Sequence, residues 1–382
     1  MISWQEYEAA FALEKFFPDT NSRFLTHKSF TKQLKSFSDE FNITAIGKSE
    51  KGKSIHKIAF GYGPKKVLIW SQMHGNESTG TFAILDLLQL LHQNFFLKKQ
   101  IEDHFTVVMI PMVNPDGADA FERRNASGID INRDALAKQA PETRVLMKQI
   151  EIFEPHIAFN LHDQRSIFSV GENIQPATIS FCIPSFDTAR AIDATRVLGM
   201  DLVGKIWQSF PEDFKTKTGR YTDEFYPTAF GDNIQKTGIN CVLFEAGAHF
   251  NDPKRIAART LFGFSILQAF KVLLNQKNPT TELYQSIPEN EQKMRDIIVK
   301  QVKLNSRGRK LKVDLIFKLK EEVKGSTFYR YLKLDDIGDF QFLNALQVVD
   351  GKGAEFNIQE MYLGKTFEFQ EFQQTFWEGV IV

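Results

Sequence analysis

The sequence predicts an α/β protein that carries a second, β-rich unit at its C-terminal end. Several short apolar runs, typical of buried strands, end in residues capable of metal or acid–base chemistry. An amphipathic helical pattern follows the first of these runs, and period-two alternation begins only after residue 277. In open α/β sheets, ligands bind beyond the carboxyl ends of the strands. Chemical side chains at several strand ends therefore predict one shared site.

The first strand end carries two candidate metal ligands. The apolar run 67–70 leads into His74 and Glu77, which are three residues apart. Both residue types bind zinc, so this pair is half of a metal site whose third ligand comes from elsewhere. The pair alone is weak evidence, because a chain with eight histidines often contains it by chance. A helix is predicted next by apolar residues at helical spacing: Ala83, Ile84, Leu87, Leu88 and Leu91.

Three further apolar runs end in comparable residues. The run 107–110 leads into the Asn-Pro-Asp-Gly stretch 114–117, the run 157–161 ends at His162, and the run 241–244 ends at Glu245. His162 and Glu245 each have a plain structural explanation, His162 as a buried core histidine and Glu245 as a strand-end glutamate that faces solvent. Their recurrence at strand ends favours a common site instead.

The motifs HGNE, NPDG, R-x-N-x-x-G-I-D-I-N-R (123–133), NLHD and FEAG, in this order, resemble the zinc carboxypeptidase family of funnelin fold. The resemblance covers about residues 40–275. The spacing from Arg123 to Asn132 most resembles that of bacterial members such as the murein-peptide amidases. It implies a mixed, twisted, eight-stranded sheet with helices on both faces. We therefore expect a catalytic domain over residues 1–277.

The resemblance implies one zinc ion per chain, bound by His74, Glu77 and His162. Two histidines and one carboxylate leave a fourth position for water, as hydrolytic zinc sites require. Asp130 matches the aspartate that accepts a hydrogen bond from the first zinc histidine and so orients that ligand, here His74.

The remaining motif residues match catalytic and substrate-binding positions. Glu245 matches the general base, and Arg123 the arginine that stabilises the developing oxyanion. Arg124 takes that role if the register shifts by one residue. Asn132 and Arg133 match the pair that holds the terminal carboxylate of the substrate, for which a guanidinium has suitable bidentate geometry.

The family also uses a mobile tyrosine that closes over bound substrate. Tyr226 and Tyr221 are the candidates, and the glycine at Gly231 favours Tyr226. Side-chain preference should be set near residues 230–232, where an aspartate would suggest basic side chains on the substrate.

Composition excludes several other classes of function. The 47 basic and 47 acidic residues give a net charge of zero without a basic run, so nucleic acid and anionic membrane are poor partners. Neither a run of 18 apolar residues nor a signal-peptide pattern is found, and the two cysteines give no disulfide framework. We expect a cytoplasmic enzyme that does not cross a membrane, and its oligomeric state stays open.

Residues 278–382 predict a separate, small β-rich domain. A polar stretch with two prolines, 275–292, indicates a linker, and further strands are expected at 326–334, 342–349 and 366–372. Alternation that favours an antiparallel sheet begins at Leu311, Val313, Leu315, Phe317 and Leu319. The domain has no chemical motif. It is either a packing or oligomerisation module, or a cap that narrows the active-site funnel, as in related N-acyl amino acid amidohydrolases.

The sequence thus predicts a zinc metallocarboxypeptidase that acts on a peptide or peptide-like substrate with a free carboxylate. One alternative is an amidohydrolase similar to aspartoacylase and succinylglutamate desuccinylase, which share the zinc site and the Asn-Arg pair. The NPDG motif, the long interval from His162 to Glu245 and the presence of Tyr226 favour the peptidase. A further alternative is an inactive carboxylate-binding protein, against which the intact ligand set and base argue.

Overall fold

The computed structural model describes residues 2–13 and 23–376. Up to residue 286, strands and helices alternate. The strands are β1 Asn42–Lys48, β2 Ser54–Phe60, β3 Lys65–Ser71, β4 Phe105–Ile110, β5 Ile157–Asp163, β6 Ser169–Val170, β7 Gln175–Pro176, β8 Ile179–Cys182, β9 Thr218–Arg220 and β10 Asn240–Ala246. The helices are α1 Trp4–Leu13, α2 His27–Lys35, α3 Thr79–Gln93, α4 Phe95–His104, α5 Pro115–Ala120, α6 Pro141–Phe153, α7 Ala194–Gln208, α8 Glu212–Lys215, α9 Phe230–Lys236, α10 Ile256–Asn275 and α11 Glu282–Ser286.

Eight of these strands form one mixed sheet in the order β1-β2-β4-β3-β5-β10-β8-β9. The central strands β4, β3, β5 and β10 are parallel to one another, whereas β1, β2 and β8 pair in antiparallel fashion with their inner neighbours. The predicted fold class, an eight-stranded mixed α/β sheet followed by a β-rich unit, is confirmed.

Both faces of the central sheet are buried, which explains why its strands read as continuous apolar runs. Val67 and Ile69 belong to one core cluster with side chains of α3 and α10, and Leu68 and Trp70 belong to another with side chains of α6 and α9. The sheet therefore presents its strand ends, rather than its faces, to solvent and ligand.

Helix α10 is long enough and apolar enough on average to cross a membrane, although polar and charged residues interrupt it so that it contains no run of 18 apolar residues. Its 20 residues meet both criteria, but 72% of its apolar window is buried inside the protein. It packs against α3 and α7. These contacts are typical of the core helix of a globular domain.

The C-terminal unit is built on a second sheet with its own apolar core. Its elements are β11 Met294–Ser306, β12 Arg309–Lys324, β13 Thr327–Gly338, β14 Asn344–Asp350, β15 Glu355–Asn357, β16 Thr366–Glu368 and α12 Phe369–Phe376. The strand order is β14-β11-β12-β13-β16, with β15 also paired to β11. Because β14 and β15 run parallel to β11, the expectation of a purely antiparallel sheet is wrong.

Two local predictions in this region are also corrected. The strand expected over 366–372 ends at Glu368, and a helix follows that buries Phe372 and Phe376 at helical spacing. The stretch expected to be an exposed linker packs instead on the first domain, where Tyr284 and Ile287 are 4% and 0% exposed. Both side chains belong to the main apolar core of the first domain.

Candidate active site

The HGNE and NPDG motifs are adjacent loops that follow the parallel strands β3 and β4. Asn114 caps α5 by accepting a hydrogen bond from the Gly117 N–H at 2.8 Å. The two loops approach so closely that a Cβ on Gly75 would lie 1.9 Å from the carbonyl carbon of Gly117. Glycine is required at this contact, because any side chain would separate the loop that carries His74 and Glu77 from its neighbour.

The other two strand-end residues come from neighbouring strands. In the parallel pair of β5 and β10, His162 lies directly opposite Glu245. Strand β3, which leads to His74, pairs with the opposite edge of β5. The topology of the sheet therefore brings together all four residues that the strand ends predicted.

Ligand atoms of His74, Glu77 and His162 converge in the buried interior. The Nδ1 atoms of the two histidines are 3.2 Å apart, and each lies 2.8 Å from an oxygen of Glu77. Atoms bound tetrahedrally at about 2.0–2.1 Å from one zinc ion are about 3.4 Å apart, so this arrangement fits a zinc ion after a small expansion. The donor set, two imidazoles and a carboxylate, also suits zinc.

The electrostatics of the three residues are coupled. Burial alone would raise the pKa of Glu77, but His74 and His162 outweigh it and hold that pKa well below its usual range. Burial opposes protonation of His74, yet Glu77 and Asp130 raise the pKa of this imidazole. At His162 burial dominates and lowers the pKa. A carboxylate beside two imidazoles is a ready cation site.

Asp130 and Arg123 surround His74. Asp130 Oδ1 lies 3.1 Å from His74 Nε2, the nitrogen that faces away from the triad. Arg123 donates from Nε to Asp130 Oδ2 at 2.9 Å and from a terminal nitrogen to Glu77 Oε1 at 3.3 Å. Arg124 points elsewhere and donates to the carbonyl oxygen of Gly128. Of the two candidate arginines, the structure therefore brings Arg123 to the triad.

Glu245 is buried, with 8% of its surface exposed. Burial raises its pKa well above the usual range, and the charges of Glu77 and Asp163 add to that shift. A glutamate of this kind takes up protons more readily than a solvated one. Such shifts are typical of groups that transfer protons at neutral pH.

Asn132, Arg133 and Tyr226 form one group at the side of the triad. Asn132 Oδ1 accepts a hydrogen bond from the backbone N–H of Phe230 at 2.9 Å. The Arg133 guanidinium lies over the Tyr226 ring, 4.2 Å from its centroid, and Tyr226 is 51% exposed. Tyr221, the alternative tyrosine, packs instead against Phe168. The more exposed tyrosine is thus the one in contact with the candidate carboxylate-binding arginine.

A cavity of about 860 Å³ joins these groups. Each predicted site residue lines it except Asp130 and Arg124. The β-rich C-terminal unit supplies part of the wall, as the cap hypothesis predicts, through Asp296, Lys318, Glu321 and Gln347 among others.

Sequence reasoning missed three charged residues that also line the cavity. Asp163 directly follows His162 within the NLHD motif and could have been singled out there. Arg23 and Arg255 carry no recognisable motif, because their significance lies in contacts with residues far away in sequence. Arg23, for example, pairs with Asp163 and Glu321, which are 140 and 298 residues away.

Comparison with known proteins gives matches to zinc carboxypeptidases over part of the chain. Residues 27–164 match the model of the family described as zinc carboxypeptidase. Carboxypeptidase 2 of Trichophyton rubrum is 32% identical over 114 residues, which are 29% of this chain and 20% of that protein. Carboxypeptidase M of Mus musculus is 25% identical over 162 residues, 35% of this chain and 37% of that protein. The matched region is about a fifth of the length of the fungal relatives.

Solved structures share the fold over a longer part of the chain. A metallo-carboxypeptidase from Burkholderia cenocepacia superposes with a TM-score of 0.53 at 16% identity, covering 66% of this chain and 70% of that chain. A metallo-carboxypeptidase from Pseudomonas aeruginosa, in complex with (2-guanidinoethylmercapto)succinic acid, gives a TM-score of 0.53 at 17% identity with the same coverage. At this identity the likeness establishes the fold.

Proposed function

We propose that this chain, whose residues 27–164 match the zinc carboxypeptidase family model, is a zinc-dependent metallocarboxypeptidase. It hydrolyses the C-terminal amide bond of a peptide or peptide-like substrate. The observation that carries the proposal is the buried convergence of His74, Glu77 and His162 beside Glu245 in one cavity. These residue types leave room for water in the coordination sphere, unlike those of a structural zinc site.

Zinc, when bound by this triad, lowers the pKa of water and polarises the scissile carbonyl group. Glu245 is the general base: it takes the proton of the attacking water and delivers it to the departing amine. Its buried position at the strand end, directly opposite His162, supports this role. Asp130 holds the imidazole of His74 in orientation.

Substrate binding falls to the basic side chains of the cavity. Arg123, whose side chain is 43% exposed, stabilises the negative charge that develops on the carbonyl oxygen. Asn132 and Arg133 bind the free terminal carboxylate and so place the last amide bond over the metal centre. Tyr226, stacked on Arg133, closes over the bound terminal residue. This division of roles makes the enzyme an exopeptidase.

The side-chain preference of the proposed enzyme is for basic residues. Asp232 lines the cavity near Tyr226, whose backbone N–H donates to its Oδ1 at 2.9 Å. A buried aspartate pairs well with an amino or guanidino group that enters the same pocket. The ligand of the Pseudomonas aeruginosa relative contains a guanidino group and a succinic acid, the two kinds of group that such a site would hold.

The proposal is tested by product analysis with the zinc-loaded protein. We would incubate it with peptides that end in basic or apolar residues, with murein peptides and with N-acyl amino acids, and identify products by mass spectrometry. Release of single C-terminal residues, abolished in Glu245→Gln, supports a carboxypeptidase. If the only products are acyl groups released from N-acyl amino acids, the protein is an amidohydrolase and the carboxypeptidase proposal is wrong. Binding without any product would indicate a carboxylate-binding protein.

The metal is tested separately by elemental analysis. We expect about one zinc ion per chain in the parent protein. The variant with both His74→Ala and His162→Ala should lose it. Retention of stoichiometric zinc in that variant would place the metal elsewhere.

A further inference from the structure

The residue that follows the proposed ligand His162 connects two parts of the metal centre. The side chain of Asp163 is almost completely buried, with 2% exposed. Its backbone N–H donates to Glu77 Oε2 at 3.1 Å, and its carboxylate accepts a hydrogen bond from the Thr79 hydroxyl at 2.8 Å. Asp163 thus fastens the loop that carries Glu77 to the strand that carries His162. The spacing of these two ligands depends on where the Asp163 carboxylate is held.

That carboxylate is held by Arg23. One terminal nitrogen of the Arg23 guanidinium donates to Asp163 Oδ2 at 2.7 Å, and the other donates to Glu321 Oε2 at 2.6 Å. The Arg23 side chain is 12% exposed. Its backbone carbonyl also accepts a hydrogen bond from Ser78, the neighbour of Glu77. Arg23 therefore contacts both elements that Asp163 joins.

Glu321 belongs to the β-rich C-terminal unit, where it lies on β12 opposite Arg330 of β13. Its second oxygen accepts from Arg330 Nε at 3.0 Å, and Arg330 also donates to the carbonyl oxygen of Pro253 in the first domain. Buried charges keep their positions only while their partners remain, because an unpaired buried charge is strongly unfavourable. The C-terminal unit thus fixes Glu321, and Glu321 fixes Arg23.

A second contact between the two units does not involve charge. Phe328, near the turn between β12 and β13, stacks on Phe24 with ring centroids 5.6 Å apart and planes 9° apart. The same ring meets Phe121 edge-on at 4.8 Å. Aromatic contacts of this kind stabilise the interface independently of the ion pairs. The hairpin can therefore stay docked when the charges are altered, so that docking and positioning can be tested separately.

We propose that Arg23 is a positioning residue through which the β-rich C-terminal unit holds Asp163, and with it Glu77 and His162, in place for zinc. The inference rests on the proposed function, because it takes these residues as zinc ligands. The C-terminal unit is then a working part of the metal centre, beyond its contribution to the wall of the cavity. Its influence reaches the metal through Glu321, Arg23 and Asp163.

The test is the zinc dissociation constant of the full-length protein, measured by competition with a chromogenic chelator. Loss of a group that orients metal ligands typically weakens metal binding by about 10–100-fold. Because Arg23 acts through Asp163, we expect about a tenfold weaker affinity in Arg23→Ala, the low end of that range. Glu321→Gln should give a smaller loss. Arg23→Lys should be intermediate, since an ammonium keeps the charge but cannot bridge two carboxylates as a guanidinium does.

Two control variants separate positioning from general effects. Glu355→Gln removes a carboxylate of the same unit that pairs with Lys303 and Lys310 at the surface, and it should leave zinc affinity unchanged. Phe328→Leu weakens the aromatic contact while it keeps the charges. Phe328→Leu should lower the melting temperature clearly while it changes the zinc affinity little.

The outcomes distinguish this inference from the proposed function. Parent-like zinc affinity in both Arg23→Ala and Glu321→Gln would overturn the positioning role alone. An equal loss in Glu355→Gln would overturn it as well. A parent protein that binds no zinc would overturn the proposed function and this inference together. If Arg23→Ala does not fold, Glu321→Gln and Arg23→Lys provide the same test with milder changes.

Discussion

Replacement of Glu245 by glutamine should greatly reduce turnover while it stabilises the metal-free protein. Transfer of a proton by a positioned base contributes about 10²–10⁴-fold, which corresponds to about 3–5 kcal/mol in the activation free energy. Glutamine has nearly the same shape but cannot accept the proton. We therefore expect kcat to fall by about that factor, with zinc content unchanged and KM changed little.

The stability effect follows from the raised pKa of Glu245. The pKa of Glu245 in the folded state exceeds that in the unfolded chain, so the protonated carboxyl group favours the folded state. This contribution of Glu245 to stability is fully present below about pH 4.3 and is lost as the pH rises through the pKa of the folded state. At neutral pH the buried glutamate therefore costs stability. Glu245→Gln removes that cost, so the melting temperature of the metal-free variant should equal or exceed that of the parent at pH 7.5. Its advantage should shrink toward pH 4.

The assay pairs stopped-time peptide hydrolysis with thermal unfolding of the same preparations. Turnover within a few-fold of the parent would remove Glu245 from the mechanism. A melting temperature several degrees below that of the parent at pH 7.5 would refute the argument from burial, since it would mean that the charged carboxylate is stabilised by its surroundings.

Three further outcomes are expected. The pKa of Asp232 is raised by burial to about 6, so its ionised fraction rises about tenfold from pH 5 to pH 7. KM for peptides that end in lysine should fall by a similar factor over that interval, and it should not do so in Asp232→Asn; a flat profile in the parent would exclude Asp232 from recognition. Arg133→Ala should raise KM for free-carboxylate peptides by about tenfold or more, whereas the control variant Arg124→Ala should match the parent; equal effects would contradict the assignment of carboxylate binding to Arg133. Gly75→Ala should lower both zinc affinity and melting temperature, because its Cβ would overlap the neighbouring loop, and wild-type behaviour would show that the loops need not touch.

The four residues His74, Glu77, His162 and Glu245 of the candidate metal site could be singled out from sequence because each lies at or just after the end of an apolar strand. Strand ends at one edge of a parallel sheet meet in space, so the order of motifs along the chain carried three-dimensional information. Finer questions needed coordinates. Arg123 and Arg124 are adjacent, and sequence cannot tell which side chain faces His74. The coordinates show that Arg123 lies against His74, whereas Arg124 donates to the carbonyl oxygen of Gly128.

The linker expected over 275–292 and the strand expected over 366–372 are wrong because each prediction uses the average composition or pattern of the whole stretch. The stretch before Met294 is polar overall, yet Tyr284 and Ile287 anchor it to the first domain. Phenylalanines at 367, 369, 372 and 376 satisfy strand spacing at first and helical spacing afterwards, so the element changes type within a few residues. The apolar helix α10 shows the reverse problem, because burial in the core and burial in a membrane favour the same residues.

The contacts of Arg23 could not be predicted from any sequence pattern. Its partners, Asp163 and Glu321, come from the first domain and from the C-terminal unit. Long-range ion pairs depend on how separate elements pack, and neither periodicity nor local propensity encodes that arrangement. Such contacts between domains are therefore where the structure adds most to the sequence.

The central claim is that this protein, when it holds zinc, removes residues from the free C-terminal end of a peptide. The most direct measurement is the cleavage rate of the zinc-loaded protein on a matched pair of peptides that differ only in a free or amidated C-terminal carboxylate. If Asn132 and Arg133 hold that carboxylate, the free peptide should lose its last residue while the amidated peptide is a poor substrate. Equal cleavage of the two peptides would contradict the proposed carboxypeptidase activity and would indicate that the protein is an endopeptidase or an amidase.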